Sequence, residues 1–174
     1  DLKLSPDGKL LISTSIDNSV RIWDIDKGIE LKCFNITSWG KSVAFSNNGK
    51  SFIFSDNGFV YLKNKIDNYD LGTLDGHYFL SGNSVDLCSK GNQLIVADRH
   101  AIKIYDINYK TETSRIKVPR NVVCSTKYSP KGEYIIASLD NKTIQIWDTI
   151  NPENTIIIND IGPYEVVETN NDKG

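Results

Sequence analysis

The chain has 174 residues, of which 39% are hydrophobic and 24% charged; this is about one domain's worth and excludes a disordered tail. Twenty Lys and Arg stand against 22 Asp and Glu, a formal net charge of −2. That balance offers no broad basic field for phosphate backbones, so nucleic acid is not expected as a partner. The apolar runs are short bursts such as Ile156-Ile157-Ile158, far below the ~20 residues that span a bilayer, so membrane insertion is not expected either.

A period runs through the chain. Turn glycines follow polar residues at Asp7-Gly8, Asn48-Gly49, Lys90-Gly91 and Lys131-Gly132, spaced by 41, 42 and 41 residues, and Gly174 falls 42 residues further on. In the first unit, Asp1-Leu2-Lys3-Leu4 alternates like a strand, Leu10-Leu11-Ile12 reads as a strand buried on both faces, and a turn at Asp17-Asn18 leads into Val20 to Trp23. Glu30 to Phe34 supplies an outer strand. The second unit repeats this with Phe52-Ile53-Phe54, a turn at Asp56-Asn57-Gly58, Phe59 to Leu62, and Tyr69 to Leu74. The third has Leu94-Ile95-Val96, Asp98-Arg99-His100, Ile102 to Tyr105 and Glu112 to Lys117. The fourth has Tyr134 to Ala137, Asp140-Asn141, Ile144 to Trp147 and Thr155 to Ile158. No stretch between the glycines carries apolar residues at helical spacing over ten or more positions.

An all-β chain with four short strands per ~40-residue unit suits the blades of a radial propeller. A sandwich explains alternation and turns equally well but gives no reason for a repeat held within one residue. The expected units are roughly 1–36, 37–76, 77–118 and 119–159, with 160–174 starting a fifth blade. With no Met and a strand pattern already running at Asp1, the chain is expected to be an excerpt of a longer protein.

Ser19-Val-Arg-Ile-Trp-Asp24, Thr143-Ile-Gln-Ile-Trp-Asp148 and the weaker Ala101-Ile-Lys-Ile-Tyr-Asp106 resemble the WD-repeat propeller family. Ser5-Pro6-Asp7-Gly8 and Ser129-Pro130-Lys131-Gly132 resemble that family's inner-strand turn. The resemblance implies an open arc of a ring of about seven blades. It also implies a buried set built from a Gly-His pair, a strand Ser or Thr, a turn Asp and a Trp. Gly76-His77 and Asp98 match in the third unit, whereas Val96 and Tyr105 depart from the Ser and Trp positions; the first unit has Ser13, Ser15, Asp17 and Trp23. The second unit, with Leu62-Lys63 read at the Trp-Asp position, is expected to be the least well pinned. The structural motif residues are thus Trp23, Asp24, His77, Asp98, Tyr105, Asp106, Asp140, Trp147 and Asp148.

Familiar catalytic and metal-binding groupings are missing from the sequence. Cys33, Cys88 and Cys124 are scattered and odd in number, which argues against a disulfide framework and for a reducing compartment, cytoplasm or nucleus. Neither they nor His77 and His100 are grouped as zinc ligands. No nucleophile elbow, phosphate loop or dinucleotide fingerprint is present. No cofactor and no catalytic residue is therefore expected. Pairs such as Asp24 and Asp26 read as solvated turn charges.

In a propeller, loops entering the inner strand and turns between the second and third strands share one rim. They carry Trp39, Lys41, Tyr78, Phe79, Arg99, His100 and Arg120, and aromatic and arginine side chains dominate binding hot spots. The reading is a non-enzymatic scaffold that binds other proteins through these loops. Sealing of gaps between blades by Trp39, Tyr78 and Phe79 is the competing use of those rings. An enzyme or small-ligand propeller using the central channel is the alternative function. Cut out alone, the arc is expected to self-associate or to be only marginally stable.

Overall fold

The computed structural model describes residues 1–56, 59–64, 70–73, 84–90, 92–109 and 111–159. Its strands form four antiparallel sheets of four, each a simple meander in chain order. The first blade is β1 (Leu2–Leu4), β2 (Leu10–Thr14), β3 (Ser19–Asp24) and β4 (Ile29–Asn35). The second is β5 (Ser42–Phe45), β6 (Ser51–Ser55), β7 (Val60–Asn64) and β8 (Asp70–Thr73). The third is β9 (Ser84–Leu87), β10 (Gln93–Asp98), β11 (Ala101–Asp106) and β12 (Thr111–Lys117). The fourth is β13 (Val123–Tyr128), β14 (Tyr134–Leu139), β15 (Ile144–Asp148) and β16 (Thr155–Ile158). No helix occurs among the described residues. The expected start of a fifth blade, 160–174, and His77, Tyr78 and Phe79 lie outside the described residues.

The glycine beats work through backbone geometry. Gly8, Gly49 and Gly132 take φ of +70°, +64° and +69°, a left-handed conformation that costs a residue with a Cβ. A serine three residues earlier locks each of these turns. The hydroxyls of Ser5, Ser46 and Ser129 accept the amides of Leu10, Ser51 and Tyr134 at 2.9–3.0 Å. Cys88 stands in that position in the third blade.

Apolar layers fill the junctions between blades. Ile12, Val20 and Ile22 of the first blade meet Val43, Phe52 and Phe54 of the second. Ile53, Val60 and Leu62 meet Val85, Leu87, Leu94, Val96 and Tyr105. Ile95, Ile102 and Ile104 meet Tyr128, Ile135, Leu139 and Trp147. The second strand is buried on both faces where a blade has neighbours on both sides, as Leu94, Ile95 and Val96 are at 0% exposure. In the first and fourth blades the expectation of two buried faces fails. Leu10 and Leu11 are only half-buried and Tyr134 is exposed, because no described blade packs on the outward faces of these end sheets.

The register corrects one assignment. Trp23, Tyr105 and Trp147 pair with Leu11, Leu94 and Ile135, each three residues past its turn glycine. In the second blade that partner is Phe52, and opposite it stands Lys63, not Leu62. The Trp-Asp position is therefore Lys63-Asn64, one residue later than the sequence suggested. The ring lost at Lys63 is replaced by others in the same junction. Phe52 lies 6.0 Å from Phe34, 6.1 Å from Phe45 and 6.2 Å from Phe54, and Phe54 stacks on Tyr61 at 4.8 Å. Such pairs add to area burial, so this blade is well anchored on its first-blade side.

Candidate functional site: the loop rim and the inner wall

The third-strand aspartates organise the turns that follow them. The Asp24 carboxylate accepts the Lys27 amide at 3.0 Å, Asp106 accepts those of Asn108 and Tyr109 at 2.8 and 3.0 Å, and Asp148 those of Ile150 and Asn151 at 2.7 and 3.0 Å. Hydrogen bonds from the turn amides hold the carboxyls of Asp24 and Asp148 below the ordinary carboxylate range. In the first blade, Trp23 Nε1 donates to Ser13 Oγ at 3.0 Å, tying β3 to β2. In the third, Val96 replaces that serine, and Tyr105 is buried with its hydroxyl pushed up by desolvation.

The rim opposite these turns is knitted loop to loop. The Asp140 carboxylate accepts the Val122 amide at 2.9 Å. Asn121 O lies 3.0 Å from His100 Nδ1, and the Asp56 carboxylate accepts Thr37 Oγ1 at 3.0 Å. On this frame Trp39 is 60% exposed, and Arg99, His100 and Arg120 are exposed as well. Trp39 therefore does not seal a gap between blades. Arg120 takes φ +71°, a conformation in which a bulky side chain is uncommon. Lys41 is half-buried and faces the inner wall of the arc rather than the outer rim.

That inner wall contains a feature that the sequence reading missed. Neighbouring inner strands are joined by side chains that accept the next blade's amides. Asp1 Oδ2 takes Val43 N at 3.0 Å, Ser42 Oγ takes Val85 N at 3.2 Å, and Ser84 Oγ takes Thr126 N at 3.2 Å. Two residues along, Asp86 Oδ2 takes Tyr128 N at 2.8 Å. These bonds link residues 42 or 43 apart, so the signal was there: a small polar residue recurring at the repeat distance. A 260 Å³ recess on this wall is lined by Lys3, Lys41, Lys127, Ser42, Ser84, Ser125 and Asp1. Desolvation lowers the pKa of Lys127, against the pull of Asp86 at 3.5 Å. Among the described residues, no group of three or more His, Cys, Asp or Glu is gathered to hold a metal ion.

Four meandering sheets joined side by side at their inner strands define a β-propeller arc. The family model for the WD domain, G-beta repeat, matches residues 1–24 and 112–148. The chain is 25% identical over 170 residues to human apoptotic protease-activating factor 1 and 22% identical to the mouse protein, with 83% of this chain covered in each case. Human WD repeat-containing protein 36 is 41% identical over 49 residues, 28% of this chain. The chain spans 13% of the length of the apoptotic factors and 6% of the last protein. A Kuenenia stuttgartiensis hydrazine synthase chain superposes with a TM-score of 0.78 at 17% identity, over 91% of this chain and 48% of that one. This last likeness concerns the fold alone. The family-model matches and these relatives support a WD-repeat protein.

Proposed function

We propose that this chain is part of a protein-interaction scaffold whose partners dock on the loop rim through Trp39, Arg99 and Arg120. The observation that carries this reading is an exposed indole and two exposed guanidinium groups standing on turns whose backbones are already tied down. Ordering costs are then small, and large planar side chains supply contact area and directed hydrogen bonds. The test is a pull-down from cell extract with the full-length protein. Trp39→Ala with Arg120→Ala is expected to lose a bound protein while the melting temperature stays within a few degrees. An unchanged set of captured proteins removes the rim from consideration.

A second reading is favoured by the inner-wall recess. Three lysines and three serines line it against the single carboxylate of Asp1, a donor excess suited to an anionic small ligand in the channel. A melting-temperature shift on adding inorganic phosphate or a dicarboxylate, lost in Lys127→Met, is its signature.

A further inference from the structure

The chain has four arginines, and their pairing divides them. Arg21 meets the carboxylates of Asp17 and Glu30, and Arg115 that of Glu112. Arg99 and Arg120 have no ion-pair partner among the described residues, and both stand on the loop rim at the junction of the third and fourth blades. Lys117 and Lys142 stand on the same junction, exposed and likewise without an ion pair among the described residues. Backbone bonds hold these segments as one surface. Val118 N and Val123 N donate to His100 O and Arg99 O at 2.8 and 3.2 Å, and Asp140 N donates to Val122 O at 3.0 Å. Of the two carboxylates here, Asp98 is paired with Lys103 and Asp140 accepts the Val122 amide, so the stripe carries an excess of positive charge.

A second observation concerns the backbone under two of these cations. Arg120 and Lys142 take φ of +71° and +63°, where a long side chain is uncommon. In the first blade Asn18 holds the turn position of Lys142, at +64°, and asparagine tolerates this conformation. The fold thus spends two left-handed positions on cations, and unfavourable backbone of this kind gathers at functional sites.

Resting on the rim reading above and narrowing its partner, we propose that this stripe binds an extended acidic segment of a protein, a row of carboxylates rather than one phosphate group. The four cations stand on the turn after β10, the connector after β12 and the turn after β14, with the connector bonded to both turns. Charge is therefore offered in succession around the rim. Arg99 and Arg120 provide planar forks that match carboxylates, and the lysines add charge. The whole chain carries a formal net charge of −2, so this local excess, not an overall field, selects the partner.

Fluorescence anisotropy of a short labelled peptide alternating Ser and Glu, titrated with the full-length protein, tests this. Saturable binding that weakens as salt is added is expected, with the matching Ser-Gln peptide inert. Arg120→Gly with Lys142→Asn suits both backbones, so this pair should melt no lower than the parent yet bind about fivefold more weakly or worse. Arg99→Gln, made separately, should weaken binding by a similar factor. Lys9→Gln with Lys131→Gln removes the same charge from exposed turns at the opposite sheet ends and should leave binding unchanged. The proposal is overturned if the Glu peptide does not bind, if the Ser-Gln peptide binds equally, if the backbone-matched pair or Arg99→Gln binds as well as the parent, or if the Lys9 and Lys131 pair loses as much. A peptide with one phosphoserine that binds more tightly than the Glu peptide, or phosphatidylserine vesicles that bind while the peptide does not, overturns it as well. The pull-down above reads Trp39 and Arg120 whatever the partner's charge, so capture lost there with no acidic peptide bound here removes the acidic partner and keeps the rim.

Discussion

Asp98 and Lys103 form the most deeply placed ion pair among the described residues. Asp98 Oδ2 lies 2.9 Å from Lys103 Nζ, and the lysine side chain is 9% exposed. Burial pulls the Asp98 carboxyl upward, but hydrogen bonds from Lys103 and the Arg99 amide outweigh it and leave it below its ordinary value. A carboxyl depressed in the folded state contributes stability that is complete above its unfolded value of about 3.9 and is lost as pH falls through the lower folded value. Asp98→Asn removes the carboxylate from the Lys103 ammonium, and because Asp98 is itself partly exposed the cost should be that of a charge-assisted hydrogen bond, roughly 1.5–3 kcal/mol near neutrality. The gap in melting temperature between variant and parent should narrow as pH falls from about 5 to about 2. A gap that stays constant through acid would mean that the pair's charge is immaterial. Pairing Asp98→Asn with Lys103→Met should recover part of the loss.

At the scale of a blade, the hydroxyl links between inner strands matter most. Ser84→Ala strips the acceptor from the buried Thr126 amide and should cost about 1–3 kcal/mol in denaturant unfolding. Ser125→Ala occupies the same position in the fourth blade, where no following amide is described and its hydroxyl has only a long 3.5 Å contact with Ser84 Oγ, and should cost clearly less. Equal losses would show that the links are incidental. The period, the glycine turns and the strands themselves could be read from the sequence because each is a local signal: φ > 0 at Gly8 or Gly49, alternation from Ser19 to Asp24. The register of the second blade could not. With neither Trp nor Asp at its third strand, nothing local distinguished Leu62 from Lys63, and pairing with Phe52 decided it. The inner-wall serines escaped notice for a related reason. A serine on a strand carries no visible signature until the neighbouring blade's amide stands beside it. For the rim, the sequence indicated which residue types lie in loops, whereas the exposure of Trp39 required the packed junctions.

Across the whole molecule, the end blades set behaviour in solution. Leu2 and Leu4 are each 60% exposed, while Val43 and Val85, which match Leu2 in the next two blades, are at 0%. At the other end, Ile156, Ile157 and Ile158 are 59%, 53% and 47% exposed. Covering one such leucine is worth on the order of 1.5–3 kcal/mol. The 174-residue chain on its own should therefore self-associate as its concentration rises, as read by light scattering. Leu2→Lys with Leu4→Lys should shift it toward single chains. A parent that remains monomeric at high concentration would contradict this.

The amide links at the inner strands also govern what the connecting segments are free to do. Because Ser42 and Ser84 clasp the following sheet at the axis, and apolar layers fill the junctions, successive sheets are held together at points other than the span of chain that bridges them. Extra residues inserted between Ser38 and Trp39, beyond the Thr37–Asp56 bond, should therefore leave the sheets seated as before, with an unchanged melting temperature as the readout.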